Sequence, residues 1–381
     1  MKKDIINLIS QLVKINSVYP NEKKTADFVL DYFNKRGYKP VRQKIEKNRD
    51  NIIVEKGAGK RTVILYSHLD TVDVTGGWKS NPFELKIEGD RASGLGAWDM
   101  KSGATINILN FINYEPKNFK LKIIFCVDEE NISKGASKFI RSSHGKNIDC
   151  VISTEPAFKH GLQGIATGRI GRAVYRVEVK GESKHTAFYE TRYDTNFFAA
   201  ELLLSINKSL NKIRGDKKQY FFANRIESSA VGMSLPEKTL IILESSIIPP
   251  VTHDQMLSKL KRMINAKLKK YNNYYKVEVG FVKRETPFLN GYEIEKGNKY
   301  LRFLAKSVKT VTNESAIPYF RSSVADENIF GSHGNTVLSI GPIGANAHAP
   351  NEWVSLKSLE KLYNILIKFL EAVDSQLVTS H

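Results

Sequence analysis

Three short, almost unbroken apolar runs constrain the fold of this chain more than any other feature. The clearest is residues 62–66, Thr-Val-Ile-Leu-Tyr, and residues 121–127 and 149–153 are similar. Runs of this length without polar alternation suit strands buried on both faces of a sheet. Helical patterns lie at 103–111 and 134–141. Alternation of strand and helix predicts an α/β layer on a mixed, largely parallel sheet. Two more helices, 4–15 and 22–36, open the chain. In the first, Ile5, Ile6, Ile9, Leu12 and Val13 recur at helical spacing.

The pattern changes near Gly168. Residues 174–179 alternate as Val-Tyr-Arg-Val-Glu-Val, as a half-buried strand does. Residues 194–213 then read as a helix, 221–229 and 239–248 as strands, 253–271 as a helix and 276–282 as a strand. That order is the split βαβ, ferredoxin-like arrangement of a small α+β unit. Helix 299–311, strand 336–340 and helix 356–373 follow. At 381 residues the chain is too long for one ordinary core. The expected division is an α/β domain, 1–168 and 284–381, interrupted by an α+β domain, 169–283.

Composition excludes several classes. Hydrophobic residues make up 41%, the mean hydropathy is −0.33, and no apolar run approaches the roughly 20 residues that span a bilayer. The first residues lack the apolar core of a signal peptide, so a cytoplasmic protein is expected. The two cysteines, Cys126 and Cys150, sit in strand-like runs and read as buried structural thiols. The net charge of +18 raises the question of an acidic partner. Its densest cluster is Lys259, Lys261, Arg262, Lys267, Lys269 and Lys270. These lie on a helix whose other face carries Leu257, Leu260, Ile264 and Leu268, so they read as a solvated face. No nucleic-acid signature accompanies them.

Five motifs carry chemistry. Ser67-His68-Leu69-Asp70 follows the strand at 62–66. His68 and Asp70 point the same way in extended chain, but taken alone the pair reads as a satisfied structural histidine. Gly94-Leu95-Gly96-Ala97-Trp98-Asp99 precedes a helix, so Asp99 is either its N-cap or a ligand. The spacing matches no phosphate-binding loop. Asp128-Glu129-Glu130 ends the run at 121–127 and is either an exposed acidic turn or a cation site. In the second case adjacent glutamates divide the work of ligand and general base. Glu155-Pro156 follows the run at 149–153, and His348 lies in a loop before the last helix. His68, Asp99, Glu130, Glu155 and His348 are nitrogen and oxygen donors suited to zinc. At least three of them follow strands of one sheet, where α/β proteins place their ligand crevice.

In order and wording these motifs resemble the zinc aminoacylase and carboxypeptidase family, which includes acetylornithine deacetylase, succinyl-diaminopimelate desuccinylase and glutamate carboxypeptidase. The resemblance runs from about Asn51 through Glu352 and includes Thr71-Val72, Trp78, Pro82-Phe83 and Met100-Lys101-Ser102-Gly103. It implies a zinc-exopeptidase-like catalytic domain with a lid and dimerisation domain, a homodimer, and two Zn2+ ions for which Co2+ can substitute. Asp99 would bridge the metals, with His68 and Glu155 completing one site and Glu130 and His348 the other. Asp70 would support His68, Glu129 would be the general base, and the peptide after Asp99 would be cis. His185, in Gly181-Glu182-Ser183-Lys184-His185, matches a histidine that stabilises the oxyanion.

Two departures bear on the substrate. Relatives carry an arginine near a Pro-Pro pair where this chain has Leu243-Glu244-Ser245-Ser246-Ile247-Ile248-Pro249-Pro250. They also carry a Gly-Thr-Ser-Asp loop where this chain has Arg321-Ser322-Ser323-Val324-Ala325-Asp326. Recognition of a substrate carboxylate must therefore differ, and Arg321 is the candidate replacement. The expected activity is hydrolysis of an amide in an N-acyl amino acid or small peptide. The alternatives are release of an amino acid from an acidic carrier protein, or a non-catalytic metal-binding protein on the same fold.

Overall fold

The structure is a computed structural model that describes residues 1–272 and 274–377. It divides into two compact units. One comprises Met1–Gly168, Ile294–Tyr319 and the chain from Ala325 onward; the other comprises Arg169–Glu293 and Phe320–Val324.

The large sheet of the first unit runs in the order Val41–Glu46, Arg49–Lys56, Lys120–Cys126, Thr62–His68, Ile148–Ser153, Thr336–Ser339, Gly164–Arg169. Its four central strands, from Lys120–Cys126 to Thr336–Ser339, are mutually parallel, and the flanking pairs are antiparallel. Every residue of Thr62–His68 is buried, as its unbroken apolar run requires. Helix Lys101–Asn113 is buried along nearly its whole length and packs on the first helix, Lys2–Lys14, and the last, Leu356–Leu377. The first helix turns Ile5, Leu8, Ile9, Leu12 and Val13 into the same core.

The hairpin of Val41–Glu46 and Arg49–Lys56 has no counterpart in the apolar pattern. Its outer strand is largely exposed and charged, so no hydrophobic period marks it. A second small sheet joins Lys86–Glu88 and Arg91–Ser93 to Gly344–Ala345 and Trp353–Ser355. It ties the loop before Asp99 to the loop carrying His348. Cys126 and Cys150 are buried free thiols.

In the second unit the strands run Phe221–Ser228, Lys238–Ile247, Gly171–Lys180, Lys276–Phe281, antiparallel throughout. Helices Thr195–Leu210 and His253–Lys270 cover one face and share an apolar core with the sheet. The first ends sooner than its sequence pattern suggests, because 212–214 turns into a short hairpin through Gly215 at φ 58°. The second opens with a capping box between Thr252 and Gln255. It buries Met256, Leu260 and Ile264 and leaves Lys261, Arg262, Lys269 and Lys270 exposed. Among the described residues no helix is long and apolar enough to cross a membrane.

Candidate metal centre

Parallel pairing brings the carboxyl ends of the central strands level: His68 is opposite Cys126, and Tyr66 and Ser339 are both opposite Ser153. The chain leaving those ends carries His68, then Glu129 and Glu130, then Glu155. Asp99 reaches them from the loop before helix Lys101–Asn113. It does not cap that helix: the N-cap is Met100, with no side-chain cap. The Asp99–Met100 peptide is cis.

Instead Asp99 divides its carboxylate. Oδ1 lies 3.3 Å from His68 Nε2, and Oδ2 lies 3.3 Å from His348 Nε2. His68 Nε2 is also 3.3 Å from Glu155 Oε1, and His348 Nε2 is 3.1 Å from Glu130 Oε1. Donor atoms of His68, Asp99 and Glu155 lie within 4.8 Å of one another, as do those of Asp99, Glu130 and His348. His68, Glu129 and Glu130 form a third, overlapping group. Imidazole and carboxylate donors converging at these distances fit divalent cations such as zinc.

The electrostatics agree with that fit. Burial, and then the charge of Glu155, hold the Glu129 carboxyl well above the usual range. Burial and the neighbouring Asp99 raise Glu155 in the same way. Burial works against a charged His68, but hydrogen bonding to Asp99 and Glu155 outweighs it and raises the imidazole. His348 is raised to about 10 by Asp99 and Glu130. Asp99, facing both imidazoles, is lowered despite its burial. Crowded carboxylates that borrow protons from their neighbours are short of positive charge, which divalent cations supply.

The ligand loops are held by buried polar side chains. Asp128 is fully buried and accepts from Arg49 Nη2 at 2.8 Å and from the Lys134 N–H at 3.0 Å. Arg49 in turn donates to the fully buried Glu22 at 2.9 Å through Nε. Of the three consecutive acidic residues, then, Asp128 is neutralised within the fold, and Glu129 and Glu130 face the cluster. Asp128 and His348 both adopt positive φ, 75° and 60°. Such backbone costs about 1–3 kcal/mol per residue and gathers at functional sites. Asp70 Oδ2 accepts from the Glu130 N–H at 2.9 Å, and burial raises its carboxyl to about 7. It meets His68 Nδ1 through its main-chain oxygen at 2.9 Å, while its carboxylate stands 3.8 Å away.

Three further side chains were not singled out by sequence. Glu352 accepts from the N–H groups of Gly96, Trp98 and Asp99, each at 2.7 Å, and so holds the loop that presents Asp99. Burial pushes its carboxyl up to about 8 against the pull of those bonds. Asn107 Nδ2 reaches Tyr66 O, Ser67 Oγ and Thr154 Oγ1 at 2.8–2.9 Å, joining the strand ends that carry His68 and Glu155. Its signal is an amide between Ile106 and Ile108, in a helix that also carries Asn110 and Asn113. Asp326, fully buried, accepts from Tyr66 Oη at 2.8 Å.

His185 and Arg321 belong to the second unit and are not members of this cluster. His185 is exposed, and its Nδ1 accepts from the Ala187 N–H at 3.1 Å. Arg321 is buried, and its main-chain oxygen accepts from the Ile170 N–H at 3.0 Å.

The chain matches the model of peptidase family M20/M25/M40 over residues 64–372, an interval that contains every residue of the cluster. It is 23% identical over 370 residues to the succinyl-diaminopimelate desuccinylase of a Sulfurovum species, covering 95% of this chain and 97% of that protein. Its fold is similar to that of the aminopeptidase PepT of Bacillus cereus, with a TM-score of 0.79 at 16% identity over 98% of this chain and 99% of that one. A dinuclear metal-binding peptidase of Bacillus subtilis is also similar, with a TM-score of 0.75 at 12% identity over 98% of both chains. The family match spans most of the chain, and the chain therefore belongs to peptidase family M20/M25/M40 and is a metal-dependent hydrolase.

Proposed function

We propose that the protein hydrolyses the amide bond of an N-acyl amino acid or small peptide at a centre of two divalent cations, zinc with cobalt as a substitute. The observation that carries this reading is Asp99, whose two oxygens face different histidines at 3.3 Å. Asp99 would then be shared by both cations, His68 and Glu155 would complete the residues holding one, and Glu130 and His348 those holding the other. When bound, cations held there would supply the positive charge that polarises a scissile carbonyl and acidifies a water molecule.

Glu129 is the general base. It is half-buried beside the cluster and held above the ordinary carboxyl range, which suits a group that accepts a proton and passes it to the departing amine. Asp70 steadies Glu130 through its N–H and His68 through its ring. His185 serves the oxyanion by resemblance to the family, and Arg321 is a candidate for a substrate carboxylate where the chain departs from the family's pattern. The second unit serves as lid and dimerisation domain. An exposed edge strand supports the homodimer: Phe221–Ser228 borders its sheet, with Phe222 45% and Ile226 55% exposed. Open strand edges of this kind pair readily with a second copy.

The test is amine release from a panel of N-acyl amino acids and dipeptides, using metal-free protein with and without zinc or cobalt. Metal-dependent turnover is expected. Glu129→Gln should lower kcat by about 10²–10⁴-fold with metal binding retained. A Glu129→Gln protein that turns over normally overturns the general-base assignment. Metal binding without turnover of any small substrate moves the proposal to an amino acid on an acidic carrier protein.

A further inference from the structure

Residues 181–189, the stretch that carries His185, follow strand Gly171–Lys180 and are exposed at every position except Gly181 and Lys184. They are nonetheless fastened to residues 233–235. The Leu235 N–H donates to Lys184 O at 2.7 Å, the Thr186 N–H to Met233 O at 2.9 Å, and Ser183 Oγ to Leu235 O at 3.1 Å. His185 Nδ1 accepts from the Ala187 N–H at 3.1 Å. A neutral imidazole that accepts at one ring nitrogen carries its proton on the other. His185 therefore offers its Nε2–H as a donor, and among the described residues no hydrogen bond occupies it.

An ordinary loop lysine extends into water as a hydrated point charge. Lys184, the residue before His185, is half-buried instead. Its Nζ lies 3.7 Å from the centroid of the Tyr193 ring and 5.9 Å from that of Tyr274. The two rings are 4.9 Å apart and inclined at 51°. A cation within about 6 Å of a tyrosine ring is attracted by the ring's quadrupole, more strongly when it is partly desolvated.

This cage is rooted in the core of the second unit. Tyr275 is 2% exposed and packs on Phe198 at 4.6 Å. Its Oη reaches the main-chain oxygens of Arg192 at 2.6 Å and Asp194 at 3.1 Å, on either side of Tyr193. Tyr274 Oη donates to Glu182 Oε2 at 3.4 Å, two residues before Lys184. Arg192 also faces Tyr193, at 4.9 Å, but its Nε is paired with Glu190 Oε2 at 2.8 Å. Among the described residues Lys184 has no such carboxylate, so the two tyrosines hold its charge.

We infer that Tyr193 and Tyr274 cage the Lys184 ammonium, and that all three are positioning residues. They hold the segment in which His185 keeps its Nε2–H free to donate to a developing oxyanion. Donors fixed before reaction cost no reorganisation at the moment charge develops. The inference rests on the assignment of His185 to the oxyanion in the reading above.

Kinetics would be measured on the zinc-loaded protein with whichever N-acyl amino acid or dipeptide it turns over. Lys184→Met and Tyr193→Leu should each lower kcat about tenfold or more, with KM and metal Kd changed less than about twofold, as for a group engaged only in the transition state. Lys184→Arg and Tyr193→Phe, which keep the cation and the ring, should stay within about threefold of the parent. In a His185→Ala background, Lys184→Met and Tyr193→Leu should have no further effect, because residues that act through one group are not additive. Parental kcat in Lys184→Met and Tyr193→Leu, or the same fold loss with and without His185, would overturn the positioning role. Amide hydrogen exchange reads the fastening without any substrate. In Lys184→Met the N–H groups of Ala187 and Leu235 should exchange about tenfold faster, with helix Lys101–Asn113 unaffected. Unchanged exchange would overturn the cage. Faster exchange together with a His185→Ala protein of parental kcat would uphold the cage and overturn the oxyanion assignment instead.

Discussion

Glu352→Gln tests whether the bridging carboxylate is held in place from behind. Glu352 is 2% exposed and accepts three N–H groups at 2.7 Å, Oε1 from Trp98 and Asp99 and Oε2 from Gly96. Glutamine matches the shape but offers one oxygen. With that oxygen in the place of Oε1, the amide nitrogen faces the Gly96 N–H, donor against donor; the opposite flip loses two bonds. At a pH above about 8, where Glu352 is ionised, the better flip forfeits one charge-assisted bond, about 1.5–3 kcal/mol, and strands a buried N–H at about 1–3 kcal/mol. Part returns because glutamine has no charge to bury, so the net loss is about 2–4 kcal/mol. In a unit of this size that lowers Tm by roughly 5–12 °C. Because the displaced segment ends at Asp99, metal affinity should also fall about 10–100-fold, as it does when groups behind a ligand are lost. Calorimetric melting with and without metal, and titration of metal into the metal-free protein, read the two effects. A variant whose Tm stays within about 2 °C and whose metal Kd stays within threefold would refute the reasoning.

Arg49→Met removes the cation between two fully buried carboxylates, Glu22 and Asp128, and should cost about 3–5 kcal/mol by urea unfolding; a loss under about 1 kcal/mol would show that Asp128 is neutralised some other way. Glu178, ringed by Lys180, Lys238 and Arg176, has its carboxyl lowered to about 2, first through the Lys180 hydrogen bond. A carboxyl lower in the folded than in the unfolded state stabilises above its unfolded value near 4.3 and loses that contribution as pH falls toward 2. Glu178→Gln should therefore be less stable than the parent at neutral pH and converge with it in acid; a constant gap from pH 7 to pH 2 would contradict the assignment. Metal affinity should fall as pH drops through 7, because protons on Asp70, held near 7, and on the raised Glu129 and Glu155 compete with cations. Calorimetry in two buffers of different ionisation enthalpy should show net proton release, and an affinity unchanged between pH 6 and 8 would rule this out.

The central parallel strands are legible because burial on both faces leaves a nearly unbroken apolar run, as at 62–66 of the wholly buried strand Thr62–His68. The hairpin from Val41 to Lys56 was not, since its outer strand alternates charges in solvent. At the site the donor set was legible as a set, and the structure gathers it. What could not be read was which member of an ambiguous pair did the work. Asp99 was open between helix cap and ligand, and only the placement of Met100 at the cap decides between them. The acidic triplet looked like one feature until Arg49, 79 residues earlier, met Asp128 alone. Glu352 and Gly96 are 256 residues apart, and no local pattern reports a contact at that distance.

These distant partners share one task. Each ligand-bearing loop is fastened by a polar side chain that is not a member of the donor cluster, buried in every case except Asn351, which is half-buried. Asn107 fastens the strand ends before His68 and Glu155, Asp128 with Arg49 the turn bearing Glu129 and Glu130, and Glu352 the approach to Asp99. Asn351 fastens the His348 loop by donating to Gly77 O at 3.1 Å and accepting from the Lys79 N–H at 2.8 Å. Carboxylates set this close repel one another, and on free loops they would separate. Held by these contacts, they stay converged and buried, and that burial, with the neighbouring carboxylates adding to it, raises the pKa values of Glu129, Glu155 and Asp70. Cations that enter such a site relieve repulsion without having to order the chain. Binding free energy that would otherwise be consumed in folding the loops remains available as affinity. The fold therefore uses polar contacts beside the chemistry, many of them to partners distant in sequence, to keep the charged groups at the chemistry together.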